Sequence, residues 1–224
     1  MPRKIEVIAS SLLDAKEAVK GGAHRIELVS ALSEGGLTPS YGLIEEVIKL
    51  PVEVAVMLRP SSEDFVYRED ELVVMRKDLL VMEEMGVERV VVGALDEEGR
   101  VDLAFLQKLF QDISLKATFH RAIDDSKDPL GSLDEISQIQ NFTHVLTSGG
   151  PGKAVDHVDV LKNMIKGPLR VIVGSGVTLE NASFLQEAFK GHDYDLHLGT
   201  ALRHGQIHGS VDRRLIEELF RRLY

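Results

Sequence analysis

The stretch IEVIASSLLDAKEAVKGGAHRIELV, residues 5–29, holds two short apolar, β-branched runs, Ile5–Ala9 and Ile26–Val29. Between them lies a segment with apolar residues three and four apart, stopped by Gly21–Gly22. A strand, a helix and a second strand of the same kind is the unit that builds parallel sheets. The runs are nearly continuous in apolar residues, as strands covered on both faces require.

Working outward, the same alternation recurs to the end of the chain. Further strands are expected at Val52–Leu58, Arg89–Ala94, Leu115–His120, His144–Thr147, Leu169–Gly174 and Asp195–Gly199. The helices between them carry start signals. Thr38-Pro39 and Asp128-Pro129 each set a capping side chain before the residue favoured at the first helical position. Leu43, Ile44, Val47 and Ile48 define one apolar helix face, Leu72, Met75, Leu79 and Met82 another, and Val211, Leu215, Leu219 and Leu223 a third. Gly86 and Gly167-Pro168 are expected stops. The acidic run Glu69-Asp70-Glu71 suits a solvated helix start.

Eight such repeats predict an α/β fold, a (β/α)8 TIM barrel occupying residues 1–224 as one domain, and 224 residues is a comfortable length for it. An open doubly wound sheet is the alternative. Its phosphate fingerprint is absent after the first strand, where Ala9-Ser10-Ser11 stands.

Composition narrows the function classes. With 44% hydrophobic and 28% charged residues the chain can build a continuous core. A net charge of −10, with no basic cluster longer than a pair such as Arg221–Arg222, argues against nucleic acid. No apolar run is long enough to span a bilayer, and the opening MPRKIEV lacks a signal-peptide core, so a cytoplasmic protein is expected. Zero cysteines exclude disulfides, thiolate catalysis and every cysteine-based metal site.

In a TIM barrel the chemistry sits where strands end at the C-terminal face. Glu27, Arg59, His120, Arg121 and Asp124 occupy or follow such ends and form the candidate catalytic set: a histidine, arginines and carboxylates able to move protons and hold an anion. The competing reading pairs His120 and Arg121 with Glu27 and Asp124 in a buried structural network. A candidate anion cradle comes from the glycine-rich ends Ser148-Gly149-Gly150, Gly174-Ser175-Gly176 and Gly199-Thr200, where backbone N–H groups can approach an oxyanion. Tight βα turns explain the same glycines. His204 and His208 are four apart but interleaved with Gly205 and Gly209, which disfavours a helical metal pair. His24, His144, His157 and His192 fall near element ends and read as solvated or satisfied side chains.

Five segments taken together are similar to the CutC family: residues 25–42 (RIELVSALSEGGLTPSYG), Met57-Leu-Arg-Pro60, Asp64-Phe-Val-Tyr67, Thr118-Phe-His-Arg-Ala122 and Leu146-Thr-Ser-Gly-Gly150. The resemblance runs from the first strand to the C-terminal helix, and its first segment is long and compositionally unusual. It implies a cytoplasmic (β/α)8 barrel, copper handling with copper as ligand, and self-association. Members of the family carry cysteines at positions aligned with Ile8 and Val29, and a glycine-containing turn where Ser61, Ser62 and Glu63 stand here. Without thiolates, which select Cu(I), the candidate metal ligands are His120, His197 and Met57. Two functions are therefore expected: a copper-associated homeostasis protein, or a barrel enzyme acting by acid–base chemistry on a small phosphorylated or carboxylated metabolite.

Overall fold

The computed structural model describes residues 4–224. Eight parallel strands close on themselves in chain order: β1 (Ile5–Ala9), β2 (Arg25–Leu28), β3 (Glu53–Met57), β4 (Arg89–Val92), β5 (Lys116–Phe119), β6 (Phe142–Thr147), β7 (Arg170–Val173) and β8 (Asp195–Leu198). Eight helices follow them: α1 (Leu12–Gly21), α2 (Tyr41–Val47), α3 (Glu69–Glu84), α4 (Leu103–Leu109), α5 (Pro129–Ser137), α6 (Val158–Met164), α7 (Ala182–Ala188) and α8 (Arg213–Leu223). The fold is a (β/α)8 TIM barrel, and the pairing of β1 with β8 rules out the open sheet.

Strand alternation divides the core in two. One set of residues, such as Val54, Val56, Val90 and Val92, joins the large cluster shared with the helices. The alternate set, Val29, Ala55, Met57 and Val91 with Ile8 packed against them, forms a separate small cluster that fills the barrel interior. The helix faces follow the expected spacing most closely on α3, where Leu72, Met75, Leu79 and Met82 are all buried. In α8 the buried residues are Ile216, Leu219 and Leu223, while Val211 is buried ahead of the helix.

One cap differs from the sequence expectation. Asp128 does cap α5, accepting from Gly131 N–H, with Pro129 in the first turn. Thr38, however, does not cap α2; Ser40 does. The Thr38 hydroxyl instead accepts from the backbone N–H of Arg59 at 2.9 Å and donates to its carbonyl at 3.1 Å. That exchange ties the loop after β2 to the end of β3.

The N-terminal end of the barrel interior is filled with charge rather than with branched aliphatics. Arg25, with no exposed surface, binds Glu6 through Nε and Asp195 through Nη2 at 3.1 Å. Arg170 reaches the same Asp195 at 2.7 Å, and Arg89 meets Glu53 at 3.2 Å. Buried pairs of this kind tolerate no loss of a partner, since the remaining charge would be stranded.

Candidate functional site

At the opposite, C-terminal end of the strands a cavity of about 600 Å³ opens, the size of a small-metabolite site. Its apolar wall includes Ile8, Leu32, Met57, Phe65, Leu146 and Ile207, and its polar groups include Glu27, Arg59, His120, Arg121 and His197.

Two of those groups, Glu27 and His197, are organised by residues deeper in the barrel. Glu6, on β1, receives Arg25 on one oxygen and the Nδ1 proton of His197 on the other, at 2.6 Å. A carboxylate only accepts, so this contact places the His197 proton on Nδ1 and turns Nε2 toward Glu27, 3.7 Å from its Oε2. Burial would push the Glu6 carboxyl up, but Arg25 and His197 outweigh it and hold Glu6 ionised. Burial likewise lowers His197, and here the Glu27 and Glu6 carboxylates prevail and raise its pKa. Glu27 is buried, and its Oε1 has no hydrogen-bond partner among the described residues. Burial pushes its pKa up to about 7, against the opposing pull of His197. A Glu27 carboxyl with a pKa of about 7 can both take and give a proton near neutrality, the condition for efficient acid–base transfer, and His197 lies beside it.

Arg59 is 6% exposed and has no carboxylate within ion-pair distance among the described residues. Its Nη1 donates to the carbonyls of Glu34 at 2.8 Å and Gly36 at 3.4 Å, its Nε is unpartnered, and its guanidinium lies 5.0 Å over the Phe65 ring. A buried cation without a counter-charge, on the wall of a cavity, attracts an anion. His120 is the opposite case. Burial and the Arg59 charge lower its pKa to about 3, so its imidazole is neutral.

The expected site residues are brought together only in part. Glu27, Arg59, His120 and Arg121 line the cavity, as do Met57, His197, Ser175, Gly176 and Gly199. Asp124, Ser148, Gly149, Gly150 and Gly174 do not. Asp124 is buried beneath the loop after β6, where it accepts from the Thr147 hydroxyl, from the Ser148 backbone at 3.1 Å and hydroxyl at 2.7 Å, and from Arg121 Nε at 2.9 Å. The Gly149 N–H is spent on Thr147 Oγ1 at 2.8 Å, and that of Gly174 on the Thr147 carbonyl at 3.0 Å. At Gly174 a side chain has no room: a Cβ would fall 2.6 Å from Leu146 Cδ1 and 3.4 Å from His197 Cβ.

Sequence reasoning passed over Glu6 and Phe65. Glu6 had a signal, a carboxylate in an otherwise apolar strand at the same parity as Ile8. Phe65 lies in a loop, and its only signal was its place in the family-like segment Asp64–Tyr67, which assigned it no role.

A model of the CutC family matches residues 3–199. A CutC family protein of Aliivibrio fischeri is 37% identical over 194 residues, covering 84% of this chain and 78% of the relative. The human copper homeostasis protein cutC homolog is 38% identical, over 82% of this chain and 68% of its own length. Among solved structures, a CutC from Streptococcus agalactiae superposes with a TM-score of 0.80 at 29% identity, covering 88% of this chain and 98% of that one. Phosphoribosylanthranilate isomerase from Thermotoga maritima has a TM-score of 0.62 at 14% identity, a likeness of fold alone. With its family-specific segments distributed from β2 to β6 and its match running through 197 consecutive positions of the barrel, from residue 3 to residue 199, the chain belongs to the CutC family.

Proposed function

We propose that this protein is a barrel enzyme that performs acid–base chemistry on a small phosphorylated or carboxylated metabolite, with Glu27 and His197 moving the proton and Arg59 holding the anion. The observation that carries this reading is the buried, uncompensated Arg59 on the same cavity wall as a carboxyl raised to about 7 and an imidazole raised above its ordinary value by the carboxylates beside it. Arg121, also on that wall, adds a second cation, and the backbone of Ser175–Gly176 and Gly199–Thr200 borders the same space. No helix among the described residues is long and apolar enough to cross a membrane, which agrees with a metabolite in bulk water as the substrate.

Copper handling is the second reading, and two observations favour it. The human relative and the Streptococcus agalactiae protein are named for it, and Glu6, Glu27 and His197 place three donor atoms within 4.8 Å of one another. The donor set does not fit Cu(I). It contains no thiolate, both Glu6 oxygens are already engaged by Arg25 and His197, and what remains is hard oxygen and one borderline nitrogen.

Isothermal titration with a panel of phosphate esters and di- and tricarboxylates, on the wild type and on Arg59→Ala, separates the two. Binding that Arg59→Ala weakens about a hundredfold is expected. No heat with any anion, together with tight Cu(I) binding in a chelator competition, would replace the enzyme by the copper protein.

A further inference from the structure

The proton transfer proposed for Glu27 and His197 leaves His120 unused, although His120 is buried on the cavity wall with one ring nitrogen unpartnered among the described residues. Its Nδ1 accepts the backbone N–H of Ala122 at 3.2 Å, so in the neutral ring the proton resides on Nε2. That Nε2 is buried and has no partner among the described residues, while the residue lines the cavity. Buried donors are nearly always satisfied, and one left open on a cavity wall is a place for a ligand acceptor. The ring is held in position from three sides. The Phe65 ring lies at 4.7 Å between centroids, the Phe119 ring at 6.1 Å, and Gly93 lies against the edge bearing Nδ1, where a Cβ would come within 2.6 Å of that nitrogen. The ring is thus fixed in tautomer and in orientation before any ligand arrives.

We propose that His120 is a neutral hydrogen-bond donor to a carbonyl oxygen of the substrate, so that the reaction at Glu27 is removal of a proton from the carbon beside that carbonyl. This rests on the acid–base reading of the cavity and adds to it the substrate class: a keto or aldehydo compound that also carries a carboxylate or phosphate. The division of labour between the polar groups supports the assignment. A full negative charge is met by Arg59, whose cation lies on the same wall. A donor kept uncharged beside that cation is matched instead to an oxygen that is neutral in the ground state and gains charge during the reaction. In the step itself the Glu27 carboxylate takes the α-proton. The C–H electron pair becomes the new C=C bond, and the carbonyl π pair moves onto oxygen, where the His120 Nε2–H stabilises it without giving up its proton. The proton then returns from Glu27 or from His197 Nε2 to carbon or oxygen, so no oxidant or reductant is consumed. The depressed pKa of His120 agrees with this role, since an imidazolium there would repel Arg59.

The test uses two matched probe pairs, pyruvate against lactate and dihydroxyacetone phosphate against glycerol 3-phosphate, with binding read by titration calorimetry. Loss of the probes' carbon-bound protons in D2O is read by proton NMR, and the His120 ring by nitrogen-15 NMR. The expected results are a ring protonated on Nε2 alone from pH 6 to 8, and tighter binding of at least one keto member by about tenfold, the effect of one hydrogen bond. Carbon exchange should be lost in Glu27→Gln and reduced about 10²- to 10³-fold in His120→Ala. His120→Gln, which keeps an N–H donor, should restore part of it, and the circular dichroism of each variant verifies its fold. A ring that titrates between pH 6 and 8, a proton on Nδ1, or equal or absent binding by both members of both pairs overturns the proposal. If anions bind in an Arg59-dependent way and keto and hydroxy members are alike, the carbonyl inference fails and the acid–base reading survives. If Arg59→Ala has no effect on any anion, both fail.

Discussion

His197 donates its Nδ1 proton to Glu6 across 2.6 Å, joining the first and last strands of the barrel through two residues 191 positions apart. The same carboxylate holds Arg25 in the charged layer below. Glu6 thus couples the ion pairs at the N-terminal end to the imidazole at the cavity, and it is both a structural counter-ion and the group that orients His197.

Glu6→Gln tests this coupling. The substitution keeps the shape but removes one of the charges that compensate Arg25, a fully buried cation that Asp195 still meets at 3.1 Å. A loss of about 1–3 kcal/mol in unfolding free energy is expected by chemical denaturation, the cost of leaving a buried donor less well satisfied, smaller than stranding the charge outright because Asp195 still pairs with Arg25. Because Glu6 also raises the His197 pKa, the imidazole titration followed by NMR should move down in the same variant. A variant as stable as the wild type, with His197 unmoved, would show that Glu6 does neither job.

The pH dependence of stability has two limbs of opposite sign. Glu27 has a folded pKa of about 7 against an ordinary value of 4.5. Between those values the unfolded chain binds fewer protons than the folded one, and stability falls as pH rises. Glu27→Gln removes that decline and should raise stability above pH 7 by on the order of 3 kcal/mol, because a neutral amide replaces a buried charge. His120 and His144 have folded pKa values of about 3 against 6.5. Their unfolded forms take up protons first, so the stability they support above pH 6.5 is lost as pH falls toward 3. His120→Gln should weaken that acid limb, His144 keeping its share, and leave the neutral limb as it was. Urea midpoints measured from pH 4 to 9 on the three proteins check both signs.

Much of the barrel is legible in the sequence because β-branched runs and helix spacing are local properties. The run Leu115–His120 reads as a strand without reference to anything else, and the observed β5 differs from it by one residue at each end. The Thr38 cap misleads for a related reason. A hydroxyl before proline is a local signal, but Ser40 is nearer the helix, and Thr38 is claimed by the Arg59 backbone 21 residues away. The cavity lining is legible only as far as parity and strand ends reach, which is enough to name Glu27, Arg59, His120 and His197 among the residues that line it. What sequence cannot supply is who partners whom. Asp124 reads as a site carboxylate three positions after Arg121, yet its partners on β6 and the following loop fully engage it. The Glu6–His197 pair exists only because the sheet closes.

Gly174 offers a test of close packing at the cavity wall. A methyl group there meets the tip of Leu146, which lies on the cavity wall, at 2.6 Å, and comes into ordinary contact with His197 at 3.4 Å. Gly174→Ala should cost about 1–3 kcal/mol in stability, the range for overpacking. Displacing Leu146 inward should also shrink the cavity and weaken anion binding more than the loss in stability explains. A crystal structure of the variant with an unchanged cavity, or binding equal to wild type, would count against this account of the glycine.

Copper gives the last prediction, and ligand chemistry decides it. Thiolate is the soft anionic donor that competes for Cu(I) in a cell, and this chain has no cysteine. The two positions where family members carry cysteines, Ile8 and Val29, belong to one apolar cluster inside the barrel together with Met57. Val29 and Met57 both flank Gly36, where a Cβ would lie 3.1 Å from Val29 Cγ1 and 3.5 Å from Met57 Cε. Ile8→Cys with Val29→Cys would therefore bring two thiolates close to an existing thioether, in a water-poor interior that favours a soft monovalent ion. The unmodified protein is expected to lose Cu(I) to a chelator that the double variant withstands, with a gain of at least about a thousandfold in apparent affinity, roughly 4 kcal/mol. Competition titrations on both proteins, repeated with His120→Ala, provide the measurement. Tight binding by the unmodified chain that His120→Ala abolishes would overturn the argument and make the imidazole the metal ligand. Weak binding that the cysteines rescue would place the soft-metal site between β1 and β2, in the small apolar cluster inside the barrel.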